Sequence, residues 1–365
     1  MKRQKKHKYL RAGKRYPKVL LTILLVLVLL AGLVAGYVWS KLRLIDYDDG
    51  TLKSPGHPEE MNMTEGSDDI QMPEETMDEY ILDYSGLEEM ETLPPIPDRE
   101  VQKRDDVINI LVLGTDSYDG TLTKYARSDA MILVSINKTD NTVKLVSLER
   151  GMGVYMESGE KAGEWDLLTH AFRWGGAKLV CDCVEQHLRV EVDHYVRVTF
   201  DTVTTVVNAI GGINVELDEA EAAYLSTCFR IRGKTQFSNL KAGRNYLDGE
   251  AALAFARLRE IDSDWQRVGR QRRVILAAVE ALKSASLKQL NNLVDTTLPL
   301  IQTDMSMLEI ADLMLYAPNF LQSEFDQMTI PKQGTYGYKN GITGFAVDYE
   351  ENSRILEDFL YGERE

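Results

Sequence analysis

Residues 107–116 read VINILVLGTD and residues 130–150 read AMILVSINKTDNTVKLVSLER. The first is a run of apolar and β-favouring residues ending in Gly-Thr-Asp, the pattern of a buried strand that delivers a polar loop at its C-terminal end. The second divides at Lys-Thr-Asp-Asn-Thr into the two strands of a hairpin. Working outward, the pattern predicts helices at about 166–174 and 176–188, a strand in HYVRVTF (194–200), a helix in DTVTTVVNAIGG (201–212) closed by glycines, and a strand in INVEL (213–217). LDGEAALAFARLRE (247–260) is helical by composition, a long helix runs from about Trp265 to Ala285, and two amphipathic helices follow near 287–301 and 306–321. TYGYKNGITGFAV (335–347) reads as a closing hairpin. Strands interleaved with helices, with no repeat at a solenoid period, give an α/β fold: a mixed central sheet flanked by helices.

Upstream of this region the charge is unevenly placed. The 365 residues carry a formal net charge of -15, yet residues 2–18 hold nine Lys/Arg and no acid. Residues 19–39, VLLTILLVLVLLAGLVAGYVW, contain no charge and as a helix are long enough to span a bilayer core of about 30 Å. The stretch exceeds a normal signal-peptide core and lacks a small-x-small cleavage site, so it is read as an uncleaved transmembrane helix. The positive-inside rule then places 1–18 as a cytoplasmic basic tail and everything after the span outside the cell membrane. Residues 40–104, with seventeen Asp/Glu against Lys53 alone between Ile45 and Asp98, read as an acidic extracytoplasmic linker. The acidic balance argues against nucleic acid as a partner. Cys181, Cys183 and Cys228 do not suit a disulfide framework or a zinc site, and read as thiols.

Residues 254–273, AFARLREIDSDWQRVGRQRR, place six arginines in twenty positions, with no lysine and no acid after Asp264. Arg267, Arg270 and Arg273 recur at i, i+3, i+6 and share a helix face, with Arg272 off it. Arg257 and Arg259 point about 200° apart if both are helical, so both reach one focus only if the helix ends between them. Arginine without lysine suits planar, bidentate recognition of phosphate or carboxylate. Asp116 at the mouth of the first strand, Arg127 and Asp129 before the second, and Arg150 at the end of the third each have a bland reading as a turn acid or a local ion pair. Together, the arginines imply an anion and the aspartates a cation beside it, which a divalent metal bridging carboxylates and phosphate oxygens satisfies.

The ordered set VINILVLGTDS, RSDAMILVSIN, VKLVSLER, a Trp-Gly-Gly element, DHYVRVTFDTVTTVVNAIGGINVEL, LKAGRNYLDGEAALAFARLRE and DWQRVGRQRR resembles the LytR-CpsA-Psr family over about 107–280. The resemblance implies transfer of a glycopolymer, such as a teichoic acid or capsular polysaccharide, from a polyprenyl pyrophosphate carrier to peptidoglycan. It implies Mg2+ (or Mn2+) held by Asp116 and Asp129, catalytic roles for Asp116, Asp129 and Arg150, and pyrophosphate binding by Arg127, Arg257, Arg259, Arg267 and Arg270. It assigns residues 105–285 to the catalytic domain; residues 286–365 lie outside the resemblance and read as a C-terminal helical extension of the same domain. The apolar helices after Val274 then help enclose the polyprenyl tail, or serve as ordinary core.

Three departures from the family pattern stand out. Glu149-Arg150-Gly151 replaces Pro-Arg-Asp, Leu167-Leu168-Thr169 replaces Lys-x-Asn and leaves His170 as the nearby titratable group, and Gln266 replaces a glycine. They imply weakened turnover, and leave two alternatives: a non-catalytic polyprenyl-phosphate binder, or a pyrophosphatase acting on the lipid carrier.

Overall fold

The structure is a computed structural model that describes residues 36–48, 84, 86–92, 95–115 and 126–362. The chain divides into two compact units, Met1–Leu44 and Ile45–Glu365. In the first, residues 36–42 are helical. The rest of the apolar 19–39 stretch lies outside the described residues, as does Asp116. Among the described residues no helix is long and apolar enough to cross a membrane.

The strands of the second unit are β1 (Asp46–Tyr47), β2 (Val107–Thr115), β3 (Ser128–Asn137), β4 (Thr142–Leu148), β5 (Gly153–Tyr155), β6 (Trp165–Leu167), β7 (His194–Thr199), β8 (Ile213–Leu217), β9 (Gly243–Leu247), β10 (Gln302–Thr303), β11 (Phe325–Ile330), β12 (Tyr336–Gly337) and β13 (Ala346–Val347). Its helices are α1 (Leu168–Leu188), α2 (Phe200–Ala209), α3 (Glu219–Ile231), α4 (Gly249–Arg257), α5 (Asp264–Lys283), α6 (Leu287–Thr297), α7 (Met307–Phe320) and α8 (Tyr349–Tyr361). The central sheet is mixed, in the order β1-β10-β7-β2-β3-β4-β11, and helices flank it. β2, β3 and β4 are successive antiparallel neighbours, so the C-terminal ends of β2 and β4 and the start of β3 meet at one end of the sheet.

The β3–β4 turn forms as its polar residues dictate. Asn137 Oδ1 accepts from the amides of Thr139 and Asp140, both at 2.8 Å, and Asn141 takes the left-handed conformation that a short polar side chain tolerates. Alternation along the strands then sorts side chains by face. Leu111, Leu113, Leu133, Val146 and Leu148 join the main core beneath α1 and α8, whereas Ile132, Val143 and Leu145 point the other way, toward Ile275, Leu276 and Phe320. A separate core gathers the β8–β9 hairpin and helices α2 to α5 around Phe229 and Phe255.

The two helices expected at 166–174 and 176–188 form one element broken at Gly175 and Gly176, where φ of +70° at Gly176 requires the absence of a side chain. The expected hairpin at 335–347 is the β12–β13 pair. Several elements escaped the sequence reading. α3 carries a full capping box, Asp218 with Glu221, that signals its start. The segment 286–365 is not only helical: it gives the sheet β10 and its edge strand β11, and α8 covers the main core. β11 was missed because FDQMTI alternates poorly, with Asp326 and Gln327 exposed in succession. Parts of the acidic 40–104 stretch also join the fold. β1 pairs with β10, Gln102 bridges Val190, and Arg99 pairs with Glu357 of α8.

Candidate functional site

The chemistry-bearing side chains converge at the end of the sheet where β2 stops, β3 starts and β4 stops. Thr169, at the start of α1, donates to the Ser128 carbonyl at 3.0 Å and so ties the head of α1 to the head of β3, fixing the backbone that presents Asp129. Arg150 follows β4 directly. Its backbone carbonyl accepts from Thr169 N–H at 3.1 Å. Arg259 follows α4, and Asp264 and Arg267 occupy the first turn of α5, where an acid is favoured by the helix dipole.

Two carboxylates organise the arginines. Asp129 accepts from Arg150 Nη1 at 2.6 Å and faces Arg259 Nη2 at 3.7 Å. Asp264 Oδ2 accepts from Arg150 Nε at 3.0 Å and from Arg267 Nη2 at 2.9 Å, and its Oδ1 lies 4.0 Å from Arg259 Nε. Burial would raise the Asp129 carboxyl, but the joint field of Arg150, Arg267, Arg259 and Arg127 outweighs it and brings the group down to about 2. Asp264 is also lowered, against its burial, by Arg150 and Arg267. Arg267, 2% exposed, has its guanidinium pushed down to about 10 by burial and by the like charge of Arg150. Its Nε is buried without an acceptor among the described residues, a donor left over in a cationic site.

The arginine face expected at 267, 270 and 273 splits. Arg267 enters the cluster, while Arg270, 1% exposed, donates to Glu221 Oε1 at 3.0 Å and to the Leu258 carbonyl at 2.7 Å, and pairs with Asp262. Arg273 binds the same Glu221, at 2.8 and 3.0 Å. Arg272 leaves the face, as expected, to donate to Ser147 and Thr329 at the sheet. α4 does end between Arg257 and Arg259. Arg257 lies 4.2 Å over the Phe200 ring with no carboxylate partner among the described residues. Arg127, partly buried, adds its charge to the field on Asp129.

Two residues of the site were not among the sequence candidates. Asp264 could have been found from its place three residues before Arg267 at a helix start, the spacing of an i, i+3 pair. Glu149, noted only as a departure, is 0% exposed beside Asp264. His170 is held by Asp166, Nδ1 to Oδ1 at 2.8 Å, and Trp174 Nε1 donates to the other oxygen of that carboxylate at 2.8 Å. Cys181, Cys183 and Cys228 are free thiols.

The described residues do not by themselves make a cation site. No group of three or more His, Cys, Asp or Glu among them is placed to hold a metal, and the oxygens of Asp129 already face Arg150 and Arg259. What they do provide is a buried guanidinium cluster with ionised acids at hand, at the head of α5. That helix continues about 12 Å further to Ile275 and Leu276, which pack half-buried against the sheet.

Comparison with known proteins identifies the family to which this fold belongs. The model of the LytR_cpsA_psr family matches residues 76–359. A polyisoprenyl-teichoic acid–peptidoglycan teichoic acid transferase TagU of Enterococcus faecalis is 30% identical over 256 residues, 68% of this chain and 78% of that protein. A TagU of Oceanobacillus iheyensis is 32% identical over 273 residues, 71% of this chain and 78% of the relative. The solved structure of TagT bound to LIIa-WTA superposes with a TM-score of 0.56 at 26% identity, covering 73% of this chain and 96% of that one. The chain whose sheet end, arginine helix and order of motifs are described above therefore belongs to the LytR-CpsA-Psr family.

Proposed function

We propose that the chain transfers a glycopolymer of the teichoic acid or capsular type from a polyprenyl pyrophosphate carrier to peptidoglycan, by phosphotransfer. The observation that carries this reading is that α5 holds both halves of donor recognition on one helix: Arg267 among Arg150 and Arg259 in its first turn, and Ile275 and Leu276 further on, against a partly covered apolar sheet face. A charged headgroup and an isoprenoid tail need that polarity, in that order. The transferase names of the relatives support the same class of substrate and acceptor.

In this reading the acceptor hydroxyl oxygen forms a bond to the phosphorus that carries the sugar as its O–H bond breaks, the bond from that phosphorus to the bridging oxygen breaks, and polyprenyl phosphate leaves, with the hydroxyl proton passing to it or to water. Arg150, Arg259 and Arg267 take up the charge that moves onto the leaving group, which buried, preorganised guanidinium groups do at little reorganisation cost. Asp129, kept ionised, holds Arg150 in place. Asp116 together with Asp129 would hold a magnesium or manganese ion, which would add positive charge beside the phosphate oxygens. The basic 1–18 tail and the uncharged 19–39 stretch support a single-pass anchor with the folded part outside the membrane.

The test is to incubate the full-length chain with lipid-linked glycopolymer and peptidoglycan, and to measure polyprenyl phosphate and wall-bound polymer. Both products from the wild type, and neither from Asp129→Ala, are expected. Polyprenyl phosphate without wall attachment would assign a pyrophosphatase, and donor retention with no product would assign a binder.

A further inference from the structure

Glu149 is the one fully buried acid at the site that no arginine holds by a hydrogen bond: both of its carboxyl oxygens lack a donor among the described residues. Its backbone is fixed, its N–H donating to the Ile330 carbonyl at 2.9 Å and its carbonyl accepting from Met152 N–H at 3.2 Å. The groups that face it are Asp264 and Arg267 from α5, Arg150 from the end of β4 and Tyr336 from β12. The group within hydrogen-bonding reach is Asp264, another carboxyl. Two carboxylates are both acceptors, so the contact is a hydrogen bond only when one of them carries a proton. Asp264 is already committed to Arg150 and Arg267 through Oδ2. A proton shared by this pair therefore belongs on Glu149, whose carboxyl is pushed up by burial and by the Asp264 charge.

We propose that Glu149 is a positioning residue: a neutral carboxylic acid that donates its proton to Asp264 and so fixes the orientation in which Asp264 holds Arg150 and Arg267 for the pyrophosphate of the donor. This rests on the anion-binding reading given above and adds to it that the site is governed by one buried proton. Losing the proton places a second negative charge against Asp264, which repels an incoming anion and draws the guanidinium groups inward. Glu149→Gln keeps the shape and a donor to Asp264 but has no proton to lose. Glu149→Ala removes the donor.

The experiment is calorimetric titration of the full-length chain in detergent with inorganic pyrophosphate between pH 6 and 9.5. For the wild type, affinity should fall by up to about tenfold per pH unit once Glu149 ionises. Glu149→Gln should bind within about twofold of wild type at pH 6.5 and stay level as pH rises, because an amide cannot ionise. A wild type with no such fall, or Glu149→Gln weakened at every pH as much as Glu149→Ala, would overturn the proposal. If no form binds pyrophosphate, the anion-binding reading itself fails. Infrared difference spectra of wild type minus Glu149→Gln at pH 7 then decide the proton by themselves: a protonated carboxylic acid band supports the assignment, and its absence sinks it.

Discussion

The two faces of the central sheet are built from the same strands and finished differently. On one, Leu111, Leu113, Leu133 and Val146 are fully buried beneath α1 and α8, with Val180 and Leu356 closing over them from the helices. On the other, Val134 and Ile136 stay half-buried against Ile275, Leu276 and Phe320, and α7 has no buried residue although most of its side chains are apolar. Leu308 and Leu315 of that helix are 80% and 78% exposed. Alternating residues of β3 thus meet a close-packed interior on one side and, around the small buried cluster of Ile132, Val143 and Leu145, a half-buried apolar layer on the other. Leaving such area in contact with water forgoes about 25 cal/mol per Å2, a cost that an apolar ligand would recover. The closed face holds the fold together, and the open one is where the polyprenyl tail is proposed to lie.

The same division runs through the arginines. Arg270 and Arg273 are tied to Glu221, which also caps α3, and they join helices. Arg150, Arg259 and Arg267 gather at the sheet end around Asp129 and Asp264, with Arg150 and Arg267 buried and Arg259 partly exposed.

The comparison can be broken most directly at Asp129. Asp129→Ala should lower release of polyprenyl phosphate by at least about 100-fold, since it removes an anchor of the preorganised site; turnover near wild type would place the chemistry elsewhere. Arg270→Ala should destabilise the chain by about 1–3 kcal/mol in urea unfolding, because it strips Glu221 and the Leu258 carbonyl of a buried donor while Arg273 still holds Glu221. Arg267→Ala should instead weaken binding of a polyprenyl pyrophosphate analogue by about 1–3 kcal/mol, and equal effects of the two on affinity would erase the distinction. Across the sheet, Leu133→Ala should cost about 2–5 kcal/mol of stability, whereas Leu276→Ala should cost clearly less. Leu276→Trp should block the lipid-linked donor while leaving inorganic pyrophosphate binding intact, and unimpaired donor binding would show that the tail does not lie there.

The smallest effect is on pH dependence. With the Glu149 carboxyl raised from 4.5 to about 8 in the folded chain, the folded state keeps a proton that the unfolded chain releases. Stability should therefore fall as pH rises from 4.5 to 8, by at most about 1.4 kcal/mol per unit, and the slope should vanish in Glu149→Gln. Asp129 acts in the opposite sense. Its contribution is present above the unfolded carboxylate range and is lost only as pH falls toward about 2.

Local pattern by itself determined the strands at 107–115 and 128–148, the hairpin between β3 and β4, the broken helix before 188 and the extent of α5, because these follow from alternation, turn residues and helical spacing. Asp129, Arg150 and Arg259 were singled out by the family resemblance rather than by local pattern, since each alone reads as a turn acid or a local ion pair. Local pattern could not say which arginine goes where. Residues three apart on a helix are displaced by about 60°, so Arg267 and Arg273 end about 120° apart and meet different partners. Nor could it show that the buried Glu149 lies against Asp264, 115 positions away. That contact, and the proton it requires, exist only because β4 and α5 converge at one end of the sheet, where low polarity makes two adjacent negative charges too costly to keep.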